Sequence, residues 1–82
     1  MYYVYLLRSE SLPQESYIGR TTDLKKRIVQ HNRGDSPHTS KFRPWRLIAY
    51  FAFAERVTAI AFEKYLKSGS GRAFTHRHFL IR

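Results

Sequence analysis

The 82-residue chain contains no cysteine, only six acidic residues and no long apolar run. Without cysteine, neither a disulfide framework nor a thiolate metal site can stabilise the chain, so a hydrophobic core must do so. No stretch approaches the roughly 20 apolar residues that cross a bilayer, and the first residues lack the pattern of a secretory signal peptide. We therefore expect one soluble domain over residues 1–82, located in the cytoplasm and not bound to a membrane.

Positive charge dominates what is present. Fifteen lysines and arginines give a formal net charge of +9, and residues 64–82 hold five basic residues and no acidic one. So large an excess on so small a surface indicates a polyanionic partner, and nucleic acid is the commonest such partner. The alternative is a soluble domain whose basic side chains serve only to keep it in solution.

The hydrophobic pattern predicts an α+β (mixed α/β) fold. Apolar, aromatic runs bounded by turn-forming residues indicate strands, and apolar residues at helical spacing indicate helices. The predicted order is strands over 2–7 and 16–21, a helix over 22–33, a loop over 35–44, a strand over 45–53, a helix over 55–68 and a short helix over 72–81. This β-β-α-β-α-(α) order predicts a small three-stranded antiparallel sheet flanked by two or three helices.

Several details of these elements are also predicted. Thr22 is expected to cap the first helix and Gly34 to end it. The third strand is apolar almost throughout, which favours burial on both faces. The second helix has an expected inward stripe, widened by its remaining apolar residues, and a glycine-serine segment that should end it at 68–71. The expected stripe is Val57, Ile60, Ala61 and Tyr65, and the widening residues are Ala59, Phe62 and Leu66.

The first hairpin carries residues that could act chemically. Tyr5 and Tyr17 stand on its two strands, although paired aromatics on neighbouring strands usually serve packing. Gly19 weakens a strand unless something must approach its backbone closely. Arg20 and the start of the following helix lie just beyond it, and this combination is suited to phosphate binding. We therefore expect Gly19 and Arg20 to contact substrate.

The two long helices carry the remaining candidates. Arg27 and His31 are four residues apart and share one helix face at the edge of the core. Glu63 lies among apolar neighbours, where a carboxylate could hold a divalent cation together with water and phosphate oxygens. An ordinary i,i+4 ion pair between Glu63 and Lys67 explains the same residue equally well. The four histidines lack zinc-ligand spacing, which disfavours a zinc site.

Five short segments and residues occur in a recognisable order along the chain. They are Tyr3-Val4-Tyr5, Tyr17-Ile18-Gly19, Arg27, His31 and Glu63. In this order and spacing they resemble the motifs of the GIY-YIG nuclease superfamily, in its small stand-alone, single-domain form. Tyr3 stands where the family name has glycine, and Thr75 stands where many members have asparagine. The resemblance covers nearly the whole chain and implies one nuclease domain over residues 1–82.

The resemblance implies a metal-dependent endonuclease that hydrolyses nucleic-acid phosphodiester bonds, in DNA in preference to RNA, with a role in DNA repair or recombination. Glu63 would hold Mg²⁺ or Mn²⁺, and Tyr5 or Tyr17 would orient or deprotonate the attacking water. An ordinary tyrosine is a weak base at neutral pH, so nearby positive charge is expected to favour its phenolate. His31 would hydrogen-bond a tyrosine or transfer a proton, and Arg27 would balance charge on the phosphate.

The basic segment from Lys67 to Arg72 completes the expected substrate-binding residues. A homodimer or a partner subunit could supply substrate specificity, which so short a chain has little room to encode. The competing hypothesis is a binding module that keeps the fold as a basic, aromatic nucleic-acid clamp without catalysis.

Overall fold

The computed structural model describes residues 1–80, and its three strands form one antiparallel sheet. The strands are β1 (Tyr2–Ser9), β2 (Ser16–Thr21) and β3 (Trp45–Phe53), in the spatial order β2-β1-β3. The helices are α1 (Leu24–Arg33), α2 (Pro37–Ser40), α3 (Arg56–Leu66) and α4 (Gly69–Thr75), and a π-helical turn at His76–Leu80 continues α4. The predicted fold class is therefore confirmed.

The central strand β1 supports a separate hydrophobic core on each of its faces. Successive side chains of a strand point to opposite sides, so Val4 and Tyr5 enter different cores. Val4 packs with Ala59 and Leu66, on the side covered by α3 and α4. Tyr5 packs with Leu7 and Trp45, on the side covered by α1 and α2, and each of these buried side chains is at most 4% exposed. The sheet thus lies between two helical layers.

The third strand differs from the prediction. Only Trp45 at its start is buried, and Tyr50 in its middle is 53% exposed. The prediction of burial on both faces was wrong because β3 is an edge strand that the helices cover only in part. The apolar composition of β3 reflects β-propensity as much as burial.

Helix α1 begins two residues later than predicted, at Leu24, and ends at Arg33 as expected. Asp23, rather than Thr22, is the N-cap, and its carboxylate accepts a hydrogen bond from the backbone N–H of Lys26. Gly34 ends the helix in the left-handed region with φ of 85°. Its backbone N–H bonds the carbonyls of Gln30 and His31, which is the arrangement that favours glycine at this position.

Two other segments correct the predicted boundaries. The polar stretch 35–44, predicted as a loop, contains the short helix α2, with Pro37 in its first turn. The glycine-serine segment at 68–71 ends α3 and also starts α4, because the Ser68 hydroxyl accepts a hydrogen bond from the backbone N–H of Gly71. Residue 81, the end of the predicted last helix, lies outside the described residues.

Helix α3 presents a different face to the sheet from the one predicted. Ala59 and Leu66 are fully buried, and Phe62 lies between them against β3. Val57 is 73% exposed and Tyr65 41% exposed, so the stripe predicted through these two residues was wrong. The spacing 59, 62, 66 is itself helical, and its small first member lets the helix approach β1 closely. Within residues 1–80, no helix is long and apolar enough to cross a membrane.

Candidate active site

The Tyr5 side chain lies directly over Gly19 of the neighbouring strand. The two residues are paired in the β1–β2 register. A Cβ at position 19 would collide with the hydroxyl and ring of Tyr5 and would come within 2.9 Å of the Tyr17 ring. A substrate was expected to approach the backbone here, but the Tyr5 side chain occupies that space. Gly19 is therefore required for the packing of the two tyrosines.

His31 projects from α1 into the same region and is fully buried. Its Nε2 lies 2.9 Å from the Tyr5 hydroxyl, and its Nδ1 lies 2.8 Å from the hydroxyl of Thr39. The Tyr17 ring packs edge-on against the imidazole, with the ring centroids 5.0 Å apart. We call Tyr5, Tyr17 and His31 the tyrosine–histidine cluster. Thr39 could not be predicted from the sequence, because the residue lies in a segment without any periodic pattern.

Tyr5 and His31 are both uncharged at neutral pH. Burial is the main reason that the pKa of Tyr5 rises to about 12; the nearby Tyr17 and Glu63 add to this effect, and Arg27 opposes it. The expectation that positive charge favours a tyrosine phenolate was wrong for Tyr5, because the effect of burial on its pKa outweighs that of the Arg27 guanidinium. Burial and the charge of Arg27 lower the pKa of His31 to about 4. His31 is therefore a neutral imidazole with one nitrogen able to accept a hydrogen bond.

Glu63, on α3, is held between two cations. Its Oε1 lies 3.2 Å from Nε of Arg20, and its Oε2 lies 3.1 Å from Nζ of Lys67. The Glu63 side chain is only 18% exposed. The ion pair with Lys67, one of the two interpretations of Glu63, is thus present. It does not exclude metal binding, because each carboxylate oxygen has a second lone pair. We call Arg20, Glu63 and Lys67 the carboxylate cluster.

The two clusters approach the sheet from opposite faces and adjoin at β2. Gly19, beneath Tyr5, and Arg20, bound to Glu63, are consecutive residues of this strand. Because β2 is an edge strand of the sheet, groups on its two faces can approach each other around its outer side. The charge of Glu63 contributes to the raised pKa of Tyr5, so the two clusters are electrostatically coupled. The edge of β2 is the candidate active site.

The remaining predicted residues lie around this edge in different ways. Arg27 is half-buried, donates a hydrogen bond to the Gln30 side chain at 3.1 Å, and acts on the pKa of both Tyr5 and His31. Arg72 is exposed, and its Nε donates to the backbone carbonyl of Lys67 at 3.2 Å, which places it beside the carboxylate cluster. Thr75, at the position of the family's asparagine, is buried and bonds the Arg72 carbonyl within α4.

The donor set at Glu63 fits Mg²⁺ or Mn²⁺ and does not fit zinc. Within residues 1–80, no three histidine, cysteine or acidic side chains are grouped closely enough to hold a metal. Zinc requires three or four protein ligands, whereas Mg²⁺ is commonly held by one or two carboxylates with water and phosphate oxygens. A single carboxylate flanked by two basic side chains suits the second mode.

Together, the fold and the site define a small α+β protein with tyrosine, histidine and carboxylate side chains gathered at the edge of a three-stranded sheet. The sequence model of the GIY-YIG catalytic domain matches residues 1–77, and the chain therefore belongs to the GIY-YIG family. The resemblance inferred from the motifs is confirmed.

Similar proteins are known from yeast, a protist and a bacterium. The chain is 44% identical over 69 residues to the structure-specific endonuclease subunit SLX1 of Scheffersomyces stipitis and 37% identical over 65 residues to the SLX1 homolog of Giardia intestinalis. These matches cover 76% and 74% of this chain but only 20% and 18% of those proteins, so the chain spans about a fifth of their length. The solution NMR structure of the UPF0213 protein BH0048 from Bacillus halodurans is 33% identical, with a TM-score of 0.56, and the match covers 94% of this chain and 82% of that one.

Proposed function

We propose that residues 1–82 form one endonuclease domain that hydrolyses phosphodiester bonds of DNA with the help of Mg²⁺ or Mn²⁺. The observation that carries this proposal is the meeting of the tyrosine–histidine cluster and the carboxylate cluster at the β2 edge, where Gly19 and Arg20 are adjacent. Acid, phenol and imidazole groups around one edge of the sheet, in a chain of net charge +9, suit the hydrolysis of a polyanion. The names of the SLX1 relatives support a structure-specific endonuclease.

In the proposed reaction, the side chains of the site transfer protons and stabilise charge. A divalent cation held by Glu63 would supply positive charge at the scissile phosphate and the departing oxygen. Tyr5 orients the attacking water and, with a pKa of about 12, relays a proton to His31 instead of standing as a phenolate. Arg27, beside both groups, stabilises the negative charge that develops on the phosphate.

The basic residues of the carboxylate cluster bind the substrate in this proposal. Arg20 and Lys67 each bond one oxygen of Glu63 and lie close to the reacting phosphate. Arg72, joined to the end of α3 at Lys67, extends the positive surface along the DNA backbone. Phosphate contacts of this kind fix the position of the DNA without reading its sequence.

We further propose a role in DNA repair or recombination in the cytoplasm, with branch recognition shared with a second chain. The SLX1 relatives are named as subunits, and the chain spans only about a fifth of their length. A partner subunit or a second copy of this chain would then supply the surface that distinguishes a branch from plain duplex.

The test is cleavage of labelled branched, duplex and single-stranded DNA by the purified protein with Mg²⁺, Mn²⁺ or EDTA. We compare the wild type with Glu63→Gln and with the control Glu55→Gln, an exposed residue at the start of the same helix. We expect metal-dependent cleavage that Glu63→Gln abolishes and Glu55→Gln leaves unchanged. Cleavage that survives EDTA or Glu63→Gln would refute the assigned role. Tight, salt-sensitive binding without cleavage under any metal would favour the non-catalytic clamp.

A further inference from the structure

Thr39 is a buried polar residue that the proposed mechanism does not yet use. It lies in α2 and is 1% exposed. Its backbone carbonyl accepts a hydrogen bond from the indole Nε1 of Trp45 at 2.9 Å. Its hydroxyl lies 2.8 Å from Nδ1 of His31, on the opposite side of the imidazole from Tyr5. The core residue Trp45 thus fixes the position of α2, and α2 places the Thr39 hydroxyl next to His31 of the tyrosine–histidine cluster.

The position of the hydrogen atoms follows from what each neighbour can donate and accept. The Tyr5 hydroxyl is buried, and among residues 1–80 its hydrogen-bonding acceptor is Nε2 of His31. Among the side chains that shift the pKa of Tyr5, Arg27 is the one that does so through a hydrogen bond, and a guanidinium can only donate. The Tyr5 hydrogen must therefore point to Nε2, because a buried hydroxyl without an acceptor is unfavourable.

The other imidazole nitrogen then carries the single hydrogen of neutral His31. A neutral imidazole has one N–H, so an accepting Nε2 leaves the hydrogen on Nδ1. Nδ1 donates this hydrogen to the Thr39 oxygen, and the Thr39 hydroxyl hydrogen turns towards the Ser36 carbonyl at 3.4 Å. The hydrogen bonds run in one direction, from Tyr5 through His31 to Thr39 and Ser36.

We propose that Thr39 is a positioning residue that keeps His31 in the Nδ1–H tautomer, so that Nε2 is free to take the proton of Tyr5. With the opposite tautomer, Nε2 would itself carry a hydrogen and could accept none. Thr39 remains a suitable acceptor after the transfer, when both imidazole nitrogens donate. The consequence for cleavage rests on the proposed function, whereas the tautomer can be measured without substrate.

The proton transfers balance in this arrangement. As the water oxygen forms its bond to phosphorus, the bond from phosphorus to the departing oxygen breaks. The departing oxygen keeps the electron pair of that bond and takes a proton from solvent. One proton moves from the water to the Tyr5 oxygen, and the original Tyr5 proton moves to Nε2 of His31. Tyr5 is left as a phenol, and His31 becomes an imidazolium that returns its proton to solvent after the products leave.

The first measurement is long-range ¹H–¹⁵N NMR of the imidazole nitrogens in the full chain at neutral pH, without metal or DNA. We expect an unprotonated Nε2 and a protonated Nδ1 for His31 in the wild type. Thr39→Ser, which keeps the hydroxyl, should preserve this pattern. Thr39→Val, which keeps the shape and loses the hydroxyl, should shift the population towards Nε2–H. A wild-type His31 that is protonated on Nε2 overturns the inference, whether or not any variant folds.

The second measurement is single-turnover cleavage by the same proteins at saturating DNA. We expect Thr39→Val to be slower by about tenfold or more, at unchanged DNA affinity, and Thr39→Ser to restore the rate to within about threefold. The control is Ser40→Ala, which removes a hydroxyl of the same helix that bonds the Pro37 carbonyl. Equal rates and equal tautomers in wild type and Thr39→Val overturn the inference. If the wild-type protein cleaves no DNA, the proposed function is refuted. The His31 tautomer measured by NMR then decides by itself whether the role of Thr39 holds.

Discussion

Replacing Tyr5 by phenylalanine removes one oxygen atom and leaves the ring over Gly19. The substitution deprives the buried Nε2 of His31 of the hydroxyl that lies 2.9 Å away. An unpaired buried acceptor costs about 1–3 kcal/mol of the free energy of unfolding. For a domain of this size, each 1 kcal/mol lowers Tm by roughly 4–8 °C, so we expect a fall of about 4–24 °C. Cleavage should fall by about 10²–10⁴-fold, the usual contribution of a positioned proton-transfer group.

Tyr50→Phe is the matched control for this variant. Tyr50 is paired with Tyr5 across β1 and β3, and it is 53% exposed. Removing its hydroxyl should change the free energy of unfolding by less than about 0.5 kcal/mol and leave cleavage unchanged. Thermal unfolding and single-turnover cleavage, measured where both variants are fully folded, separate the two effects. A Tyr5→Phe protein that cleaves DNA at the wild-type rate would refute the role of this hydroxyl in activating water.

Three further variants or conditions test other parts of the account. Gly19→Ala should lose about 1–3 kcal/mol of stability, because its Cβ displaces Tyr5, as equilibrium unfolding will measure. Lys67→Met should lower the Mn²⁺ concentration for half-maximal cleavage about twofold. The variant loses a partly exposed ion pair with Glu63, worth about 0.4 kcal/mol, that competes with the metal for this carboxylate. Stability should fall by up to about 3 kcal/mol as pH drops from 6.5 towards 4, since unfolded His31 binds a proton and folded His31, with its pKa of about 4, does not.

Each of these predictions has a control and an opposing result. Gly69→Ala adds a Cβ into open space, and a loss of stability equal to that of Gly19→Ala would refute the packing argument. Lys64→Met removes an exposed charge from the same helix, and an equal shift in both lysine variants would show a general charge effect. His31→Gln should remove its part of the acid sensitivity, and an unchanged pH dependence in urea unfolding would contradict that assignment.

Much of the fold could be predicted from local patterns in the sequence. The hairpin, α1 and its stop at Gly34 follow from alternation, spacing and a residue that tolerates positive φ. The exposure of β3 and the inward face of α3 could not be predicted, because they depend on which neighbours cover each element. The four-residue helix α2 is too short to show any periodicity, so its sequence resembles a loop. The burial of Thr39 therefore could not be predicted.

The residues of the candidate site could be named from the motifs, but their contacts could not be derived. Tyr5 and His31 are 26 positions apart, and Arg20 and Glu63 are 43 positions apart, so no local signal connects them. The raised pKa of Tyr5 is a consequence of burial, which the charge of the sequence alone does not reveal. The proposed mechanism depends on these long-range contacts, which the motif positions alone do not define.

The most direct test of the central claim is Mn²⁺ titration of the ¹⁵N-labelled protein, because this paramagnetic ion broadens nearby amide signals. The claim is that one cation site at the β2 edge joins the carboxylate cluster to the tyrosine–histidine cluster. We predict that broadening is strongest at Glu63 and at Gly19 and Arg20, and that Glu63→Gln abolishes it at all three. Broadening centred elsewhere, or retained in full by Glu63→Gln, would contradict the account.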